Sequence, residues 1–97
     1  MNKKRTAICN CVKKYAYLHW FNFSDRLSQQ QRQVVIHVLT QRFGFLQKEC
    51  AEFLNIAEST VCYDSMKAGV KYEESNFFRK QVQDLYNNIT YYTKYTK

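Results

Sequence analysis

QKECAEFLNIAESTVCYDSM, residues Gln47 to Met66, reads as two short helices joined by a tight turn. Ala51 falls where the first helix must approach the second closely, and a larger side chain there would push the pair apart. Leu54, Ile56 and Val61 supply an apolar wedge. Cys50 and Phe53, with Leu46 one turn earlier, keep the i, i+3, i+4 spacing of a buried stripe. Asn55 takes the turn, where a positive φ is needed that Gly meets most easily and Asn tolerates better than most residues. The second helix then starts near Glu58 and points Ser59, Thr60 and Tyr63 outward. In a helix-turn-helix of this kind, the second helix lies in the major groove with its N-terminal side chains against base edges. A small residue, a turn and a few apolar contacts also suit a helical hairpin used only for packing or protein docking, which is the competing expectation.

A chain of 97 residues supports one domain, 1–97, whose small core would have difficulty accommodating an active-site cleft beside a separate binding surface. Its formal charge of +7 and pI near 9.3 favour a polyanion. Double-stranded DNA is the expected partner, because neutralising phosphates releases counterions. Anionic lipid would attract the same charge, but no segment is apolar on one side and uniformly basic on the other, and no membrane association is expected. The charge is uneven. Lys3, Lys4, Arg5, Lys13 and Lys14 make the N-terminal stretch basic, whereas residues 46–68 set Glu49, Glu52, Glu58 and Asp64 against Lys48 and Lys67. Phosphate contacts are therefore expected from a basic arm over residues 1–6, through Lys3, Lys4 and Arg5. Arg26, Arg32, Arg42, Lys48 and Lys71 are further candidates. A Lys-rich terminus that only solubilises is the alternative.

Cys9 and Cys11 are separated by one residue, unlike the C-x₂₋₄-C pairs of structural zinc sites, and they point to different faces of a helix. Cys50 and Cys62 read as reduced packing thiols. His19 and His37 stand apart from each other and from any carboxylate pattern. No metal or cofactor is expected, and no nucleophile, base and orienting group fall together as an enzyme would need. No secretory signal or bilayer-length apolar run is visible, so the expected location is the cytoplasm, on the nucleoid, or a host cytoplasm if a phage encodes the chain.

With no Pro and only Gly44 and Gly69, both expected at helix ends, the chain reads as all-α: a single small domain of about five helices with a long C-terminal one. Ile8, Cys11, Val12, Tyr15 and Leu18 form the first stripe, broken by Asn22, Ser24 and Asp25. Ser28 is a plausible N-cap for a second helix carrying Val34, Val35, Val38, Leu39 and Phe43. β-Branching makes Val34 to Val38 readable as a strand, but the flanking QQQRQ and LTQR favour helix. Gly69 is expected to close the recognition helix. Phe78, Val82, Leu85, Ile89 and Tyr92 then step by 4, 3, 4, 3 along a final helix over 75–92. That seam either packs back on the core or forms a homodimer interface. The closing YYTKYTK is either a fraying tail or an extra surface for stacking and phosphate contact.

The order of segments over residues 8 to 92 resembles the C-terminal DNA-binding domain of the bacterial replication initiator DnaA, a TrpR-like helix-turn-helix. The residues concerned are the opening helix ending VKKY, RQVVIHVL at Arg32 to Leu39, ECAEFLN, STV at Ser59 to Val61, and FRKQVQDL from Phe78 to Leu85. LSQQQRQVVIHVL followed by the motif is also similar to sigma-factor region four and response-regulator output domains. The DnaA family reads its box with an Asp-His-Thr-Thr-Val signature, matched here by Ala57, Glu58, Ser59, Thr60 and Val61. The resemblance therefore implies base contact at Ser59 and Thr60, while Glu58 could accept from a cytosine amino group. Where that family has a basic loop, SQQQ stands here, and no nucleotide-binding G-x-x-x-x-G-K-[ST] loop is present. At Asp64 the family usually has a small residue turned toward the first helix. A carboxylate there should stay at the rim or find a partner, and Lys67 is the nearest candidate.

The expected mechanism has Glu58, Ser59, Thr60, Tyr63 and Lys67 at base edges, with the arm, Arg26, Arg32, Lys48 and Lys71 on phosphates. This describes a transcriptional or replication-associated regulator, and small size with departure from the host signature suggests a phage or mobile element. The rival expectation is a phage structural or packaging protein that docks other proteins through the Phe78–Tyr92 seam and the aromatic Trp20, Phe21 and Phe23.

Overall fold

Val34, Val35, Ile36, Val38 and Leu39 are all fully buried, so the segment that β-branching left open to a strand is a helix covered on every side. This helix, α2 (Gln29–Phe43), packs against three of the other four in a computed structural model that describes residues 2–24 and 26–95. Around it lie α1 (Lys3–His19), α3 (Gln47–Leu54), α4 (Glu58–Glu74) and α5 (Asn76–Tyr95). Among the described residues there is no strand, and the all-α reading holds.

The ends of α2 follow their local chemistry. Ser28 Oγ accepts from the Gln31 amide (3.2 Å), and Gln31 Oε1 accepts from the Ser28 amide (3.0 Å). Such a reciprocal cap stabilises a helix start by about 1 kcal/mol. Gly44 closes the helix at φ +70°. That turn sends Phe45 into the core, while Leu46, expected in the stripe of α3, is the N-cap residue outside the helix and remains 66% exposed.

Three expectations are corrected. The residues given to a basic arm are helical: Asn2 Oδ1 accepts from the Arg5 amide (2.8 Å), and Lys3, Lys4 and Arg5 form the first turn of α1, Met1 lying outside the described residues. In that helix Cys9 and Ala16 join Ile8 and Val12 in the core while Leu18 faces out, because Trp20, edge-on to Tyr15 at 5.2 Å, covers that end of the core. Gly69 does not end α4, which runs on to Glu74, held by Ala68 buried on the core and by Lys71. Packing there outweighs glycine's poor helix propensity. Ser75 makes the break and caps α5, its Oγ accepting from the Phe78 amide at 3.1 Å. Of the two readings of the C-terminal seam, packing on the core is the one seen: Phe78, Val82, Leu85 and Ile89 are buried against α1, α2 and α4, while Tyr92 at its end is exposed.

Helix α5 begins one residue later than expected and continues to Tyr95, taking in most of the closing YYTKYTK; Thr96 and Lys97 lie outside the described residues. Helix α1 ends through a backbone bond from Asn22 N–H to Ala16 O (3.0 Å), which forces Phe21 to φ +53°. A bulky L-residue in that left-handed region costs roughly 1–2 kcal/mol. Asp25, expected to help break α1, lies outside the described residues.

Candidate nucleic-acid interface

The α3–α4 pair has the geometry its sequence predicts. Asn55 adopts the left-handed conformation at φ 56°, and Ile56 N–H donates to Ala51 O (3.0 Å). Ala51 and Val61 are buried at the crossing, with Leu54 and Ile56 half-buried beneath the turn. Ala57 precedes α4 in an extended conformation and offers its first amides no side-chain acceptor.

The outward line of α4 runs through Ser59, Tyr63, Met66 and Val70, all exposed, with Cys62 beside it. Of the expected base-reading residues, Ser59 and Tyr63 lie on this line. Lys67 flanks it with its ammonium 5.5 Å from the Tyr63 ring centroid, Glu58 flanks the other side, and Thr60 is half-buried. Met66 at 70% exposure, Val70 and Cys62 were missed, although stepping by three and four from Ser59 reaches them. Cys62 is thus a surface thiol rather than a packing one. The face is apolar, with Lys67 on one edge and Glu58 on the other, a composition suited to thymine methyl groups as well as to hydrogen-bonding base edges.

The expected phosphate ligands divide into two groups. Lys3, Lys4, Arg26 and Lys48 are exposed, and none makes an ion pair among the described residues. Arg5 is turned inward: its Nε lies 3.1 Å from Glu49, one terminal nitrogen donates to Gly44 O, and the guanidinium covers the Phe45 ring at 4.5 Å. This pins the first turn of α1 beside that of α3 and brings Lys3 and Lys4 to the end that carries Lys48. Arg42 is occupied by the Tyr72 hydroxyl and the Tyr86 ring.

Arg32 and Lys71 belong to a chain of polar contacts that sets the pose of α4 on α2. Asp64, fully buried, accepts from Arg32 Nε (2.5 Å) and Gln33 Nε2 (3.2 Å), and Gln33 Oε1 accepts from Lys71 Nζ (2.6 Å). Of the two alternatives for Asp64, it finds a partner rather than staying at the rim, but the partner is Arg32 and not Lys67. The position does turn inward, and a carboxylate can occupy it because α2 brings two donors.

Beside the helix-turn-helix turn lies a groove of about 740 Å³, walled by α1, the α1–α2 connection and residues Leu54 to Ile56. Lys13, Arg26 and Arg32 line it, and none of its described lining residues is acidic. Elsewhere, burial pushes the Cys9 thiol up to about 11 and the Cys50 thiol up to about 12, which leaves both protonated and inert. Burial also lowers the pKa of His37, which stacks on Tyr72 at 4.6 Å, and nearby Arg42 adds to the effect. Among the described residues no three His, Cys, Asp or Glu side chains gather where a metal could be held, and no helix is long and apolar enough to cross a membrane. No protein-family model, curated protein or solved structure matches the chain.

Proposed function

We propose that this chain binds double-stranded DNA through α3 and α4, with Ser59, Tyr63, Met66 and Lys67 at base edges and Thr60 and Glu58 at the margins of the contact. The observation that carries this reading is the open face of α4. It follows a left-handed turn at Asn55, and no other part of the described chain covers it. Lys3, Lys4, Lys48 and Arg26 supply the phosphate contacts, and the overall charge of +7 supplies the long-range attraction. The likeness of segment order to the DnaA DNA-binding domain favours the same docking, with a different site because the Asp-His signature is absent. A regulator of transcription or replication acting by occupancy of its site, carried by a phage or mobile element, fits a domain of this size.

Selection of bound fragments from random duplex DNA tests the reading. An enriched sequence is expected, and Ser59→Ala or Tyr63→Ala should then lower specific affinity by about 1–3 kcal/mol while leaving nonspecific binding nearly unchanged. Equal loss of both would remove these residues from base reading. One observation favours a second reading, protein docking: Tyr63, Met66 and Val70 make the face more apolar than basic. Stable self-association in light scattering, with no duplex binding at moderate salt, would select it.

A further inference from the structure

The connection from α1 to α2 has its polarity inverted. The Asn22 side chain is used within the connection and the start of α2: Nδ2 donates to Arg26 O (3.0 Å) and to Gln31 Oε1 (2.8 Å), and Oδ1 accepts from the Ser24 amide (3.0 Å). The aromatic side chains of the connection face out instead, Phe21 at 74% exposure and Phe23 at 69%. Phe21 also holds a backbone conformation that a bulky side chain rarely adopts. Phe23 is steadied by an edge contact with Tyr17 at 4.8 Å between centroids. Two rings on a hydrogen-bonded platform, one of them at a backbone cost, weaken the isolated fold, and such costs persist where a partner is engaged.

The surroundings point to the partner. Phe21, Phe23 and Arg26 line one open surface concavity. Phe23 and Arg26 also line the cationic groove whose far wall is the turn between α3 and α4. The platform is therefore continuous with the start of α4, and the Arg26 guanidinium beside the rings has no ion pair among the described residues.

We infer that Phe21 and Phe23 form an aromatic wedge that enters a base-pair step of duplex DNA beside the stretch covered by α4, with Arg26 on the adjoining phosphate. This rests on the DNA-binding reading above and adds a second contact to it. Apolar side chains pushed between base pairs from the minor groove unstack the step and kink the duplex, and the bend brings more backbone against the protein. The ring faces supply stacking, whereas the Asn22 and Ser24 side chains are already paired within the connection.

The test uses the full chain and the duplex recovered by selection, with 2-aminopurine at steps flanking the enriched sequence and fluorophores at the two ends. The wild-type protein should raise 2-aminopurine emission at one flanking step and shorten the end-to-end distance. Phe21→Gly should melt at a higher temperature than wild type, because Gly suits the left-handed position. It should nonetheless bind the duplex roughly tenfold more weakly and lose the emission change. Phe23→Ala should show the same loss of emission. Wild-type binding with unaltered affinity and emission in both variants would overturn the wedge while leaving the DNA-binding reading in place. Failure of the selection to recover any duplex would overturn both. Phe21-dependent binding to vesicles of phosphatidylserine and phosphatidylcholine, with duplex binding unchanged, would assign the rings to lipid and overturn the wedge.

Discussion

Arg32→Met removes the guanidinium while keeping most of the aliphatic stem, and it should be among the most damaging single changes in this protein. The Asp64 carboxylate has no solvent exposure, and Arg32 is its only charged partner among the described residues; Gln33 supplies one neutral hydrogen bond. Taking the cation away leaves an ionised group in a dry site, a situation that costs about 3–5 kcal/mol. The reverse change is not symmetrical. The Arg32 side chain is 21% exposed, so in Asp64→Asn the guanidinium can turn toward water and the loss is confined to imperfect hydrogen bonding, about 1–3 kcal/mol. The double variant leaves no buried charge and should be more stable than Arg32→Met alone. Urea unfolding at neutral pH measures all three, with a constant m-value required for the comparison. Asp64→Asn costing more than Arg32→Met, or Arg32→Met costing under about 1 kcal/mol, would refute this reasoning. DNA binding gives a separate check. If Arg32 held a phosphate, its removal would lower the salt slope by about one, whereas the structural role leaves the slope unchanged.

Gly69→Ala should raise stability by about 0.5–1 kcal/mol in the same assay, because the helix passes through this position and an added Cβ meets nothing within 4 Å. The pKa of His37 is lowered from 6.5 in the folded chain, so the unfolded state takes up the proton more readily. Stability from this residue is complete above pH 6.5 and declines as the pH falls through that value toward the folded one; thermal melts across that range should show a shallower decline in His37→Gln. Mass-resolved alkylation of the native protein at neutral pH should modify Cys62 before Cys9 or Cys50. A bulky adduct at Cys62, on the open face of α4, should abolish duplex binding without unfolding the chain.

Periodicity was enough to locate the turn at Asn55, the start of α4 at Glu58, the cap at Ser28 and the buried seam of α5, because each depends on neighbours a few residues apart. The misplacements have a common origin in contacts distant along the chain. Gly69 reads as a stop until Ala68 and Lys71 are seen anchored on the core and Gln33. Asp64 finds its donors 31 and 32 residues back, on a helix whose face was not known in advance. Arg5, Arg32 and Lys71 count as basic residues in composition, yet each is tied to groups within the fold. Net charge is therefore a poor guide to which cations remain for a polyanion. The apolar character of the α4 face was legible in Met66 and Val70, but the search for hydrogen-bonding residues passed over them.

Among the positions where this chain departs from locally favourable choices, Ala57, Phe21, Phe23, Met66 and Val70 lie on α4, at its start, or on the connection whose groove reaches that start. Ala57 stands at an N-cap where Ser or Asp would stabilise α4 by about 1 kcal/mol. Phe21 occupies a turn suited to Gly, and Phe23 stands exposed beside it. Met66 and Val70 face out from α4, which is anchored underneath by a buried ion pair that an apolar pair could replace. The groove lined by Phe23 and Arg26 ends at Leu54 to Ile56, one residue from Ala57, which links the loop to the start of α4. A sequence shaped only for folding would correct the exposed positions independently. Their adjacency is what a shared partner would produce, with each concession kept because it frees an amide, a ring or an apolar side chain for the same surface. Ala57→Asp separates the two explanations: the cap should raise the melting temperature, and, on the DNA-binding reading proposed above, the added negative charge at the start of α4 should weaken duplex binding. A variant that gained both stability and affinity would break the link between these concessions and the interface.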